Sequence, residues 1–340
     1  MGLTRSDLIL KYIVEYFIKN AQPIGSHTLI EEYHLPYSSA TIRNEMFALE
    51  KMGFIEKTHS SSGRVPSSKG YRYYCEHLRD RSVDESLKNS LQVVLEQKIQ
   101  SVEEVIKESC EILSHMTNLV SVVTGNSGNV ERLANVQLIQ ISENTLTAVF
   151  VTDKGYVENK TFIVPNTIKA NEVVDCVKIL NDRLKGTPVS DLVPKMEALK
   201  PVLSDYVVSH DIVYQALLET FIRFAGDRLS LYGREELFNQ PEFKNDAEKL
   251  QEVFKLLNDK SVFKEAGSKD QKMEINIGET NPDVSMVTTK IKIGDGDESS
   301  ITLLGPTRMD YDKALSALEY IAEELNKYFD DLKGGNDEDA

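Results

Sequence analysis

Ser38-Ser39-Ala40-Thr41-Ile42-Arg43-Asn44-Glu45-Met46-Phe47-Ala48-Leu49-Glu50-Lys51-Met52-Gly53 decides how the first part of this 340-residue chain is read. One of the two serines can cap a helix with its hydroxyl, and Gly53 supplies a C-terminal stop. At about 100° per residue, Ile42, Met46 and Leu49 share one narrow stripe, which must face a core. The opposite side then presents Ala40, Asn44, Phe47 and Lys51, with Thr41, Arg43 and Glu50 on its flanks. Arg can donate two hydrogen bonds to guanine, and Asn can pair with the donor and acceptor of adenine. Both stand near the helix N-terminus, where a recognition helix meets base edges. Ser39, at the same end, is a candidate for the same surface.

Working outward, Thr4 to Asn20 repeats Leu8, Tyr12, Ile13, Tyr16 and Phe17 at helical spacing, and Asn20-Ala21-Gln22-Pro23 stops it. A second helix is expected from Ser26, whose hydroxyl can cap it, ending before His34-Leu35-Pro36. Downstream, Phe54–Thr58 alternates like a short strand. The loop His59-Ser60-Ser61-Ser62-Gly63-Arg64 leads to Val65 and Pro66, after which Ser67 can cap a helix bearing Tyr71, Tyr74 and Leu78. Three helices followed by strand, polar basic loop and strand is the order of a winged helix-turn-helix. Its DNA-facing candidates are Ser39, Thr41, Arg43, Asn44, Phe47, Lys51, His59 and Arg64. A structural or protein-binding module of the same shape satisfies the pattern too.

The net charge of −15 argues against a nucleic-acid binder until it is divided along the chain. Residues 1–80 hold ten Lys/Arg and nine Asp/Glu, leaving 29 and 45 for the rest. Only the first part can approach a phosphate backbone without strong repulsion. A hydrophobic fraction of 41% and a charged fraction of 27% are those of a globular chain long enough for two or three domains. No apolar run reaches the roughly 20 residues that cross a bilayer, and no signal-peptide pattern opens the chain. Cys75, Cys110 and Cys176 are far apart and odd in number, so a reducing cytoplasm is the expected compartment.

Several stretches resemble the HrcA family of bacterial heat-inducible repressors. They are Pro23-Ile24-Gly25-Ser26, the run Ser38 to Met46, His59 to Pro66 and Lys69-Gly70-Tyr71-Arg72. Tyr232-Gly233, Pro241-Glu242-Phe243 and Leu304-Gly305-Pro306-Thr307-Arg308-Met309-Asp310-Tyr311 are similar to the family's middle and closing motifs. The sequence departs from the family at Glu45, His27 and Ser62, where Asp, Lys and Ala are usual. The resemblance implies an α+β architecture: an N-terminal winged helix-turn-helix, then a GAF-like α/β domain with an inserted dimerisation segment. It further implies repression of chaperone operons of the groESL and dnaK type, through the CIRCE inverted repeat, by a homodimer whose active state GroEL promotes. A small-ligand-sensing winged-helix regulator is the alternative.

On this basis residues 1–80 are expected to be the DNA-binding domain, and 81–150 with 236–333 the GAF-like domain with its linker helix. Residues 151–235 are the expected insertion and 334–340 an acidic disordered tail. Apolar residues from Val83 to Leu113 predict one long helix or a broken pair, and strand-like runs occupy 119–124, 135–142, 145–152 and 157–164. Helical spacing covers 170–260, and strands return at 274–277, 284–293 and 300–304 before a closing helix over 310–329. Asp295-Gly296-Asp297-Glu298 lacks the further ligands of a calcium loop and reads as a hairpin turn. Gly305-Pro306-Thr307 could offer N–H groups to an anion, but a tight strand-to-helix connection is the plainer reading. No nucleotide loop, nucleophile motif or metal spacing is present, so neither an enzyme nor a cofactor is expected.

Overall fold

The computed structural model describes residues 3–58, 63–97, 102–125, 131–153, 155–163, 170–204, 214–215, 218–219, 221–222, 228–244, 246–266, 272–293 and 297–334. They fall into two units, one of residues 1–124, 229–294 and 299–340, the other of 125–228 and 295–298.

In the first unit, helix α1 (Arg5–Asn20) starts at a capping box in which Thr4 and Asp7 each bond the other's backbone N–H. Its innermost residues are Ile9, Leu10, Ile13 and Val14. Of the expected stripe only Ile13 is buried, while Leu8, Tyr12, Tyr16 and Phe17 are half-buried, so the helix is rotated from that reading. The tyrosines keep to the rim of the core, where Tyr12 stacks on Tyr33 at 4.0 Å, while the branched aliphatics fill the interior. Helix α2 (Ser26–Tyr33) is capped by Gly25 without a side-chain bond, not by Ser26. Helix α3 (Ser39–Lys51) starts at Ser38, whose hydroxyl accepts from the Thr41 N–H. Gly53 follows with φ +79°, the left-handed turn that ends the helix.

Strands β1 (Ile55–Lys57) and β2 (Arg64–Pro66) pair antiparallel, with Glu56 opposite Val65. Ile24 bridges to Arg64 on the other side of β2. Helix α4 (Ser68–Tyr73), capped by Ser67, runs on into a π-helical turn over Tyr74–Leu78. At Gly70 a β-carbon would lie 2.0 Å from the Phe54 carbonyl oxygen, so only glycine lets α4 sit this close to β1.

The stretch after Val83 is a broken pair, α5 (Glu85–Leu95) and α6 (Val102–Thr117). A five-stranded sheet follows in the order β7-β3-β10-β9-β8. Its strands are β3 (Val120–Gly125), β7 (Arg228–Tyr232), β8 (Met273–Ile277), β9 (Val284–Ile293) and β10 (Asp297–Pro306). The closing helix (Tyr311–Gly334) packs Leu315, Leu318 and Ile321 against Val287, Ile291, Ile301 and Leu303. Val120, Val122, Met286 and Leu304 belong to a second core with Phe243, Val253, Leu257 and Phe263, from the helical segments between Pro241 and Ala266. Helices therefore cover both faces of the sheet.

Residues 1–80 are part of this unit. Tyr71 packs on Tyr311 at 5.3 Å, and one continuous core runs from Ile9 to Phe329. The Arg79 side chain, 4% exposed, donates to Glu319 Oε1 at 2.6 Å and Ser316 Oγ at 3.1 Å.

The second unit is built on an antiparallel meander of β4 (Leu133–Ser142), β5 (Thr145–Thr152) and β6 (Val157–Ile163). Burial along β5 alternates strictly. Leu146, Ala148 and Phe150 join Leu133 and Val136 under α7 (Ala170–Leu184) and α8 (Leu192–Ser204). Asn181 fastens α7 to β4 by taking the Val136 N–H at 2.7 Å and donating to its carbonyl oxygen at 2.6 Å. The boundary expected at 151 falls inside β5, because β4 and β5 pair with β6 and not with the five-stranded sheet. The expected tail over 334–340 lies, apart from Gly334, outside the described residues.

Candidate nucleic-acid interface

Three buried side chains, Ile42, Met46 and Leu49, hold α3 against the core and fix which side faces outward. Arg43, Asn44, Phe47 and Lys51 are exposed on that outer side. Phe47 is 65% exposed, an aromatic ring standing in water beside Arg43 and Asn44. A ring in that place can meet the methyl group of thymine.

The acids around α3 are compensated from within. Glu45 takes the Ser6 hydroxyl at 2.6 Å and the Arg5 guanidinium at 2.7 Å. The Ser6 hydroxyl, with Arg5 behind it, holds the Glu45 carboxyl below its ordinary 4.5. Glu50 is paired with Arg64, both Nε and Nη2 of the guanidinium reaching one carboxylate oxygen, at 3.0 and 2.6 Å. Arg43 and Lys51 enter no ion pair among the described residues. The outer face of α3 thus carries positive charge with its neighbouring negative charge already spent, in a chain that is acidic overall.

The other expected residues are less free. Ser39 shares a hydrogen bond with Ser26 at 3.0 Å, tying α2 to α3, and Thr41 shares one with Ser38 at 2.9 Å. Arg64 is bound to Glu50 and its side chain is 12% exposed. His59 lies outside the described residues. Lys57, which the sequence reading passed over, is exposed on β1 opposite Arg64. Strict alternation from the buried Ile55 turns Lys57 inward, yet the short strand is exposed at both Glu56 and Lys57.

Among the described residues, no group of three His, Cys, Asp or Glu is placed to hold a metal ion. Burial pushes the Cys75 and Cys110 thiols well up, away from nucleophilic character. In the Gly305-Pro306-Thr307 stretch, weighed against a tight strand-to-helix connection, the Thr307 N–H is taken up by the Asp283 carbonyl oxygen. No helix of the described residues is long and apolar enough to cross a membrane.

A family model described as HrcA protein C terminal domain matches residues 103–315. The chain is 35% identical over 336 residues to the heat-inducible transcription repressor HrcA of Halalkalibacterium halodurans, covering 96% of this chain and 98% of that one. With the protein of the same name from Bacillus pumilus the identity is 36% over 341 residues, covering 98% and 99%. A solved structure of a hypothetical protein, 22% identical, superposes over 97% of this chain and 99% of its own with a TM-score of 0.66, which establishes likeness of fold.

Proposed function

The chain belongs to the HrcA family of heat-inducible transcription repressors, and from that premise we propose that residues 1–80 are a winged helix-turn-helix reading an inverted-repeat operator. The protein is a repressor and not an enzyme. The observation that carries the site is the outer face of α3, where Arg43, Asn44, Phe47 and Lys51 are exposed while Glu45 and Glu50 are neutralised. Arg43 and Asn44 read base edges and Phe47 contacts a thymine methyl. Ser39, Thr41, Lys51 and His59 support the contact along the phosphate backbone, and Arg64 supports it from within the protein. Arg64 does so by fixing the hairpin through Glu50.

A twofold operator needs a twofold reader. In the second unit the β4–β6 sheet supports that requirement. Its face turned away from α7 and α8 carries Gln137, Ile139, Thr147, Val149, Val151, Val157, Asn159, Thr161 and Ile163, with no charged side chain among them. Ile163 is 77% exposed and Val157 49%. A face of this chemistry seats a second copy of the chain. The five-stranded sheet with helices on both faces is the GAF-like part, the operator is CIRCE, GroEL promotes the active state, and the protein works in the cytoplasm. A gel shift with and without GroEL tests the reading: selective retention of CIRCE over scrambled DNA is expected, and equal affinity for the two rejects it.

A further inference from the structure

A cleft of about 550 Å³ opens between α1 and the turn from β10 into the closing helix, walled by Glu15, Ile18, Lys19, Arg308 and Asp312. Apolar packing does not fill this part of the contact, and polar side chains cross it. The Arg308 guanidinium donates to the carbonyl oxygen of Ile18, one of the last-turn carbonyls that α1 leaves without a helical partner. Its Nε donates to Glu242 Oε1 at 2.7 Å. Alongside, the Tyr74 hydroxyl donates to Asp312 Oδ2 at 2.8 Å. Away from the cleft the contact is packed, with the Tyr71 ring on Tyr311. The join between reader and body therefore has a packed pivot and a polar strut.

We propose that Arg308 is a positioning residue for operator recognition: it sets the angle at which α1, and with it α3, is held on the rest of the molecule. The angle reaches the reading helix because Arg5 and Ser6 at the start of α1 grip Glu45 of α3. Arg308 suits the part because its planar fork bonds two elements at once and its side chain is only 18% exposed. Glu242 Oε2 is buried without a hydrogen-bond partner, so removing the guanidinium leaves the carboxylate with no side-chain hydrogen bond among the described residues. Next to an open cleft, such a loss is relieved by movement of α1 about the pivot. In a dimer, a change in that angle alters the distance between the two α3 helices and leaves each recognition surface intact. The inference rests on the reading of two α3 helices on one inverted repeat.

The test uses the full chain and three DNAs: one half-site, the inverted repeat, and the repeat with its spacer changed by one or two base pairs. Arg308→Met keeps the apolar stem and removes the donors. It is expected to bind the half-site within about twofold of wild type. It is expected to lose about tenfold of the preference for the native spacer, the discrimination one charge-assisted hydrogen bond carries. Glu242→Gln, which leaves the bond to Ile18 in place, is expected to lose part of the same preference. Wild-type spacer preference in both variants, or an equal loss on all three DNAs, overturns the proposal. Wild-type protein blind to the spacer overturns the dimeric reading and the strut with it.

Discussion

Arg64 closes on Glu50 across 2.6 Å and so joins the hairpin to the last turn of α3. The guanidinium that the sequence pattern counts among the DNA-facing candidates is, in the folded chain, a brace within the protein. Arg64→Ala is therefore expected to lower stability by about 1–3 kcal/mol, the range for a hydrogen-bonded charge that loses its partner. Calorimetry measures that. The salt dependence of DNA binding should stay as in wild type; a slope shallower by about one unit would move Arg64 onto phosphate.

On the exposed side of α3, Arg43 and Lys51 separate two kinds of contact. Arg43→Ala is expected to cost about 1–3 kcal/mol of operator affinity and to relax discrimination at one base pair. Lys51→Ala should weaken operator and scrambled DNA alike and reduce the salt slope by roughly one. Competition binding over several salt concentrations distinguishes the two signatures. If Arg43→Ala weakened all sequences equally, its base-reading role would be lost.

Phe47 offers a chemical probe. Being 65% exposed, its ring contributes little to the core, so Phe47→Ala should leave the melting temperature nearly unchanged. Replacing operator thymines singly by deoxyuridine removes only the methyl group. Wild-type protein should lose affinity at one such position and Phe47→Ala should not. Equal sensitivity of both proteins at every position removes the ring from the interface.

Gly70 sets the opposite expectation, a large effect on folding with no contact to DNA. A β-carbon there would press within 2.0 Å of the Phe54 carbonyl, a backbone atom that cannot swing aside. Gly70→Ala is expected to destabilise by about 3 kcal/mol or more, at the upper end of overpacking costs. Denaturant titration of the full chain checks this.

What the sequence made legible was whatever depends on local periodicity. The inward stripe of Ile42, Met46 and Leu49 follows from helical spacing, and with it the outward placing of Arg43, Asn44, Phe47 and Lys51. Pairings between distant residues were not legible: Arg64 meets Glu50 and Ser39 meets Ser26 only after folding. Alternation along β4 and β5 marked them as strands but could not name their partner, so the second unit was expected to begin inside β5. Strand β7 was missed because Leu229 and Leu231 are too few for an alternation to stand out between helical stretches. In α1 the tyrosines counted as core by hydropathy, yet their hydroxyls keep them at the rim.

The contact between α1 and α3 should also show in acid. Glu45 has a folded-state pKa below its ordinary value, because the Ser6 hydroxyl and then Arg5 favour the carboxylate. A depressed carboxyl contributes stability that is complete above about 4.5 and lost as pH falls through the folded value. Glu15 and Asp312 act the other way: burial raises both, so their protonation in the same range favours the folded state. Asp7 and Asp84 are lowered as Glu45 is, so the acid limb of the whole protein is a balance of several carboxyls and Glu45 must be isolated by comparison. Glu45→Gln keeps the shape and removes the titration. The difference in stability between wild type and this variant should be constant above about pH 5 and shrink steadily below pH 4.5. A difference that stayed constant down to pH 3, or grew, would mean that Glu45 gains nothing from its charge in the fold.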